Sequence, residues 1–113
     1  EHPAVETVWY PKFEGCSEYE ALLQPGGGYG GLISFALVRP ERAPQVYDAL
    51  EWSKGPSLGT EFSLACAYTL LAHYQELDWA ESCGVPRNLI RLSAGSEDPS
   101  RLVGALATAL EFA

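Results

Sequence analysis

Basic residues are scarce in this chain, and they are not clustered. Seven Lys and Arg stand against 15 Asp and Glu, giving a net charge of -8. Nucleic acid and anionic membrane both require a basic face, so the charge balance argues against either partner. No apolar run approaches the roughly 20 residues of a membrane-crossing helix, and no targeting segment is recognisable. Cysteine is equally sparse. Cys16, Cys66 and Cys83 form neither a CxxC pair nor a Cys/His ligand set. An odd number without ligand spacing speaks against a disulfide framework or a zinc site, favours a reducing cytoplasmic setting, and suggests apolar filler roles for the three thiols. The chain starts at Glu1 rather than Met, which suggests a piece of something longer.

What is present points to a packed α+β globule. Of 113 residues, 47% are apolar, enough for one domain with a real core. Val5 to Tyr10 reads as a strand with Val5, Thr7 and Trp9 on one face, ended by Pro11. Ser17-Glu18-Tyr19-Glu20 has the capping-box pattern and predicts a short helix through Leu23. The glycines from Gly26 to Gly31 resemble a phosphate loop only superficially. They lead into the strand-like run Leu32 to Val38, with no helix or Lys following, so a flexible turn is expected.

A helix is predicted from Arg42 to Trp52, with Val46, Ala49 and Leu50 inward, and a short strand turning into a loop from Ser57 to Leu64. His73 to Ser82 reads as another helix, stopped by Gly84. His73 has no identifiable Ser, Cys or carboxylate partner by spacing. Asp98-Pro99 opens the final helix, whose Leu102, Val103, Leu106, Ala109 and Leu110 recur at helical spacing. The order is four alternations of strand and helix. A small, mostly antiparallel sheet with helices on one face follows.

The segment from Asn88 to Asp98 supplies the residue that matters most. Along a strand Ile90, Leu92 and Ala94 point one way, and Leu89, Arg91 and Ser93 the other. An apolar ribbon thus presents one permanently charged fork of donors, matched to a carboxylate, from the uncovered face. The plainer alternative is a surface Arg paired with one of the many acidic side chains. A second alternative is a non-catalytic amino-acid-binding regulatory module that uses Arg91 without chemistry.

Several motifs in one order carry a resemblance. Ser57-Leu58-Gly59, Ser63-Leu64, Gly84-Val85 and Leu89-Ile90-Arg91-Leu92-Ser93-Ala94-Gly95-Ser96-Glu97-Asp98 are similar to the C-terminal domain of the Cys/Met-metabolism PLP-dependent enzymes. His2-Pro3, Tyr10-Pro11 and Gly30-Gly31-Leu32-Ile33-Ser34-Phe35 agree upstream. The resemblance implies one small domain over residues 1–113, with pyridoxal 5'-phosphate held mainly by an absent large domain that is its partner. It implies that Arg91 grips the substrate α-carboxylate with Ser57 beside it, that no residue here is catalytic or cofactor-binding, and that the fragment alone is inert. It also implies a homotetrameric enzyme.

Departures from the pattern narrow the chemistry. Phe62 stands where cystathionine-handling members often carry an acid, with Glu61 one place earlier; Ala67 replaces a Pro and Ala72-His73 a Thr-His pair. The run Tyr68 to Tyr74 with Glu76-Leu77-Asp78-Trp79 looks like the fungal, cystathionine gamma-synthase-like branch. The reading is gamma-replacement on an O-acylhomoserine.

Overall fold

A computed structural model describes residues 2–113. Five strands form one sheet in the order β1-β2-β5-β4-β3, with β1 at Val5–Trp9, β2 at Leu32–Leu37, β3 at Ser53–Lys54, β4 at Leu64–Ala67 and β5 at Ile90–Ser93. Every neighbouring pair is antiparallel except β3 with β4. The α+β class and the mostly antiparallel sheet stand as expected. The sequence pattern had four strands, however, and placed one of them at Ser57 to Leu64. That stretch is a loop up to Ser63, and the two short strands lie on either side of it.

The helices are α1 (Ser17–Leu22), α2 (Ala43–Ala49, after a 3₁₀ turn at Pro40–Arg42), α3 (Tyr68–Ala72), α4 (Leu77–Ser82) and α5 (Pro99–Leu110). Helices α2 and α5 cover one sheet face. Phe35, Leu37, Ala65, Ile90 and Leu92 from the strands meet Val46, Leu50, Ala109 and Leu110 in a single buried cluster. The inward stripe of α2 is as the spacing predicts, although the helix ends at Ala49 and Trp52 lies beyond it. In α5 the spacing overreaches: Val103 is 68% exposed, while Ala109 and Leu110 are buried.

Local details follow from backbone chemistry. Asp98 caps α5 through its carboxylate, which accepts from the Ser100 and Arg101 amides at 2.9 and 3.2 Å. Asp98→Ala is expected to cost about 1 kcal/mol, read as a lower urea midpoint, because two amides lose their acceptor. Helix α1 forms where the capping box places it, but Cys16 is its N-cap and no side chain caps it. The Ser17 hydroxyl donates to Glu18 instead, at 3.1 Å. Strand β1 breaks strict alternation. An irregularity in its register between Val5 and Thr7 lets Val5 and Val8 both pack on the core, where simple alternation put them on opposite faces.

The predicted helix from His73 divides at a turn. His73 ends α3, and α4 begins only at Leu77. That turn sets Glu76 Oε1 2.7 Å from His73 Nδ1, so the histidine does have a carboxylate partner. Spacing missed it because the two residues meet across a chain reversal rather than on a helix face. Of the cysteines only Cys66 is buried; Cys16 and Cys83 are exposed and unpaired, which corrects the expectation of three apolar fillers. Among the described residues no helix is long and apolar enough to cross a membrane.

Candidate functional site

Arg91 sits mid-way along β5, between Ser34 of β2 and Cys66 of β4 in the cross-strand register. Its chain neighbours Ile90 and Leu92 enter the core, so the pleat sends Arg91 to the face opposite α2 and α5. That face is not bare. The segment 55–63, linking β3 to β4, runs across it in step with β5. The Gly59 amide donates to Ser93 Oγ at 3.1 Å, and Ser96 donates its amide and hydroxyl to the Glu61 carbonyl at 2.8 and 2.9 Å. Further along the same side, Gly84, Val85 and Pro86 close on Trp9 and Ser34 around a cleft of 150 Å³. The uncovered face expected from the sequence is therefore a partly roofed trough.

Within it Arg91 is half-buried and held by neutral groups. Its Nη2 donates to the Pro56 carbonyl and lies 3.5 Å from the Ser57 carbonyl, while the guanidinium carbon sits 5.2 Å from the centre of the Tyr68 ring. Nε is buried with no acceptor. No carboxylate among the described residues pairs with this guanidinium. Arg87 provides the contrast: its nitrogens bond Asp78 at 2.7 Å and Glu81 at 2.7 and 2.9 Å, which pushes its pKa still higher. Arg87 is a neutralised surface cation. Arg91 has no such acid among the described residues, which the alternative of an ordinary paired surface Arg does not predict.

Ser57 is exposed beside it and contributes its carbonyl to the same guanidinium. The two residues singled out by the sequence are thus brought together, across 34 positions of chain. Cys66 lies next in register. Burial pushes its thiol pKa up, with the Arg91 charge opposing the shift, so it is a neutral spectator at neutral pH.

Tyr68, Pro56, Ser63 and Glu97 were not legible as parts of this arrangement. Pro56 flanks one motif and Ser63 belongs to another, but only the path of the 55–63 strap shows what they touch. Glu97 Oε1 accepts from the Ser63 amide at 2.6 Å and Oε2 from the Ser63 hydroxyl at 2.8 Å; that hydroxyl accepts in turn from the Gly95 amide at 2.9 Å. The Ser63 amide, foremost, holds the Glu97 carboxyl below its ordinary value of 4.5. A lowered carboxyl pKa contributes stability above the unfolded-state value and loses it as pH falls through the folded-state value. Hydrogen-exchange protection of the Ser63 amide is accordingly expected to fall as pH drops below 4.5. In Glu97→Gln that acid step should vanish; its persistence would assign it to another group.

The described residues do not build a site for a phosphorylated aldehyde cofactor. Of the two lysines, Lys54 donates to the Leu50 carbonyl and lies 4.7 Å from the Tyr47 ring centre, and Lys12 lies in a turn. The glycine run enters β2 rather than a helix, so it offers no N-terminal cradle.

In a comparison across families, the model of the Cys/Met metabolism PLP-dependent enzymes matches residues 1–111. The chain belongs to that family. Cystathionine gamma-synthase of Neurospora crassa is 54% identical over 114 residues, covering 100% of this chain and 18% of that protein. The Saccharomyces cerevisiae cystathionine gamma-synthase is 48% identical over 110 residues, covering 94% and 17%. Cystathionine gamma-lyase of Bacillus subtilis is 32% identical over 112 residues, covering 97% and 30%.

A Campylobacter jejuni O-acetylhomoserine (thiol)-lyase, solved with N'-pyridoxyl-lysine-5'-monophosphate, superposes with a TM-score of 0.83 at 25% identity, over 98% of this chain and 27% of that one. Its pyridoxyl-lysine lies outside the matching region. The chain therefore spans a minor part, 17% to 30%, of each of these family members.

Proposed function

We propose that this chain is the C-terminal small domain of a cystathionine gamma-synthase-like enzyme, and that Arg91 binds the α-carboxylate of the amino-acid substrate with Ser57 at the same end of the site. The observation that carries this reading is a half-buried guanidinium oriented by two main-chain carbonyls, with no acid of its own among the described residues. Carbonyl acceptors fix its direction without cancelling its charge. A carboxylate arriving in the trough then meets a donor fork already in place, which limits the entropy lost on binding.

The larger part of the same polypeptide is the partner, and it holds the pyridoxal phosphate. That cofactor supplies an electron sink for carbanion chemistry. This chain's residues bind and orient: a substrate fixed at its acid end has its α-proton and γ-substituent aimed at groups on the other domain. The strap and the 84–89 segment exclude water around the grip. The same reading includes a cytoplasmic homotetramer, in keeping with exposed, unpaired Cys16 and Cys83 in a reducing compartment.

The reaction is gamma-replacement, in which a thiol displaces the acyloxy group of an O-acylhomoserine to give a thioether and a carboxylate. Higher identity to the two fungal gamma-synthases, 54% and 48%, than to the bacterial gamma-lyase, 32%, supports this choice. The full-length enzyme given O-acylhomoserine and a thiol amino acid should yield the thioether as its main product. Predominant release of 2-oxo acid and ammonia would overturn the assignment to replacement.

A further inference from the structure

The strap over β5 has little apolar anchorage. Leu58 and Phe62, its two large apolar side chains, are 55% and 47% exposed. Polar links hold it instead, and among the described residues the charged ones come from Arg91 at one end and Glu97 at the other. Both carboxylate oxygens are used on one residue, Ser63, which is itself 2% exposed. The Ser63 hydroxyl passes the connection to the Gly95 amide, so strap, β5 end and carboxylate are locked in one three-part latch. The fit at Gly95 is tight. A methyl group there would sit 2.5 Å from the Glu61 carbonyl oxygen and 2.5 Å from Glu97 Oε2. Larger residues would lift the strap.

The other end of this strap carries the Pro56 and Ser57 carbonyls, the groups that set the direction of the Arg91 fork. Among the described residues, the Gly59 to Ser93 bond and the Glu61 to Ser96 pair are all that tie the strap to the β5 segment between the two ends. We infer that Glu97 is a positioning residue for the Arg91 site, acting at a distance by pinning the strap whose carbonyls aim the guanidinium. This rests on the proposed carboxylate role of Arg91. Glu97 itself touches no substrate, since both of its oxygens are occupied within the latch. Releasing it frees the strap, and with it a long side chain whose useful orientation is then only one among many rotamers.

The test uses the full-length enzyme carrying Glu97→Ala, Ser63→Ala and Arg91→Ala, singly and as the Glu97→Ala/Arg91→Ala double variant. Thermal melts establish folding, and steady-state kinetics with O-acylhomoserine give KM and kcat. Glu97→Ala is expected to raise KM about tenfold with a smaller fall in kcat, because the preformed grip on the acid end is loosened while the reacting groups keep their places. Ser63→Ala should follow it in direction. In the double variant Glu97→Ala should add almost nothing to Arg91→Ala, since a residue acting only through another is silent once that other is gone.

Full additivity of the two substitutions, or an unchanged KM in folded Glu97→Ala and Ser63→Ala proteins, overturns the inference while leaving the role of Arg91 standing. Normal kinetics for Arg91→Ala alone would instead remove the carboxylate reading beneath it. If Glu97→Ala fails to fold, Glu97→Gln replaces it in the same cycle. The amide keeps one acceptor but presents donors to a hydroxyl that needs to donate, and the same KM shift and non-additivity are required of it.

Discussion

Replacing Arg91 with Ala in the full-length enzyme is expected to lower kcat/KM for the amino-acid substrate by about a hundredfold or more. Loss of one partner from a desolvated, hydrogen-bonded charge pair costs roughly 2–5 kcal/mol, and each 1.4 kcal/mol is tenfold. The visible absorbance of the bound cofactor should not change, because in the proposed arrangement the cofactor is held mainly by the other domain. Arg91→Lys is the sharper variant. An ammonium preserves the charge but not the planar fork, and it reaches neither the Pro56 carbonyl nor the Tyr68 face in the same geometry. It should recover only a small part of the loss. Activity within threefold of the parent for both variants would take Arg91 out of the site.

The second large effect is expected in the core. Leu92 is 2% exposed on β5, the middle strand of the sheet, and it packs beneath α2 and α5 in the main apolar cluster. Leu92→Ala removes three carbons from a space that the flanking strands cannot close. A loss of about 3 kcal/mol is expected, within the usual range of 2–5 for such truncations. In urea this moves the unfolding midpoint down by roughly 1–3 M, given slopes of about 1–3 kcal/mol per M for small domains. Val103→Ala, on the exposed side of α5, is the control and should stay within about 0.5 kcal/mol. Equal effects from the two would mean that the burial pattern has been misassigned.

Those paired substitutions also show where sequence patterns stop being informative. Leu92 and Val103 both fall on apolar periodicities, and nothing in the pattern separates a strand centre from the outer edge of a helical stripe. Helix spacing defines a face about 100° wide, but what covers its margin depends on the neighbouring element. Strand alternation likewise failed at Val5 and Val8. A register irregularity there rests on pairing with β2, and β2 is distant in sequence.

The candidate site divides in the same way. Arg91 is legible in the sequence because a permanently charged group in an apolar ribbon demands an explanation. Ser57 was named only through the family resemblance. Their proximity, the carbonyl cradle, the Tyr68 ring and the Glu97 latch were not readable. Each is a contact between segments some 20 to 35 residues apart, made by a loop with no periodicity to betray its path. His73 is the instructive small case. Its partner Glu76 is three residues away, yet helical spacing does not reveal it, because a turn interrupts a run that reads as one helix.

By itself the sequence determined the class of fold and the face from which Arg91 projects. Side-chain alternation in β5 and the capped, amphipathic α5 are local properties, set by backbone sterics and by which residues avoid water. Whether that arginine would be neutralised or left with its charge unspent was decided only by the tertiary structure. The outcome depends on which acceptors the distant 55–63 strap brings to it. In this chain they are carbonyl dipoles, which orient a cation without discharging it.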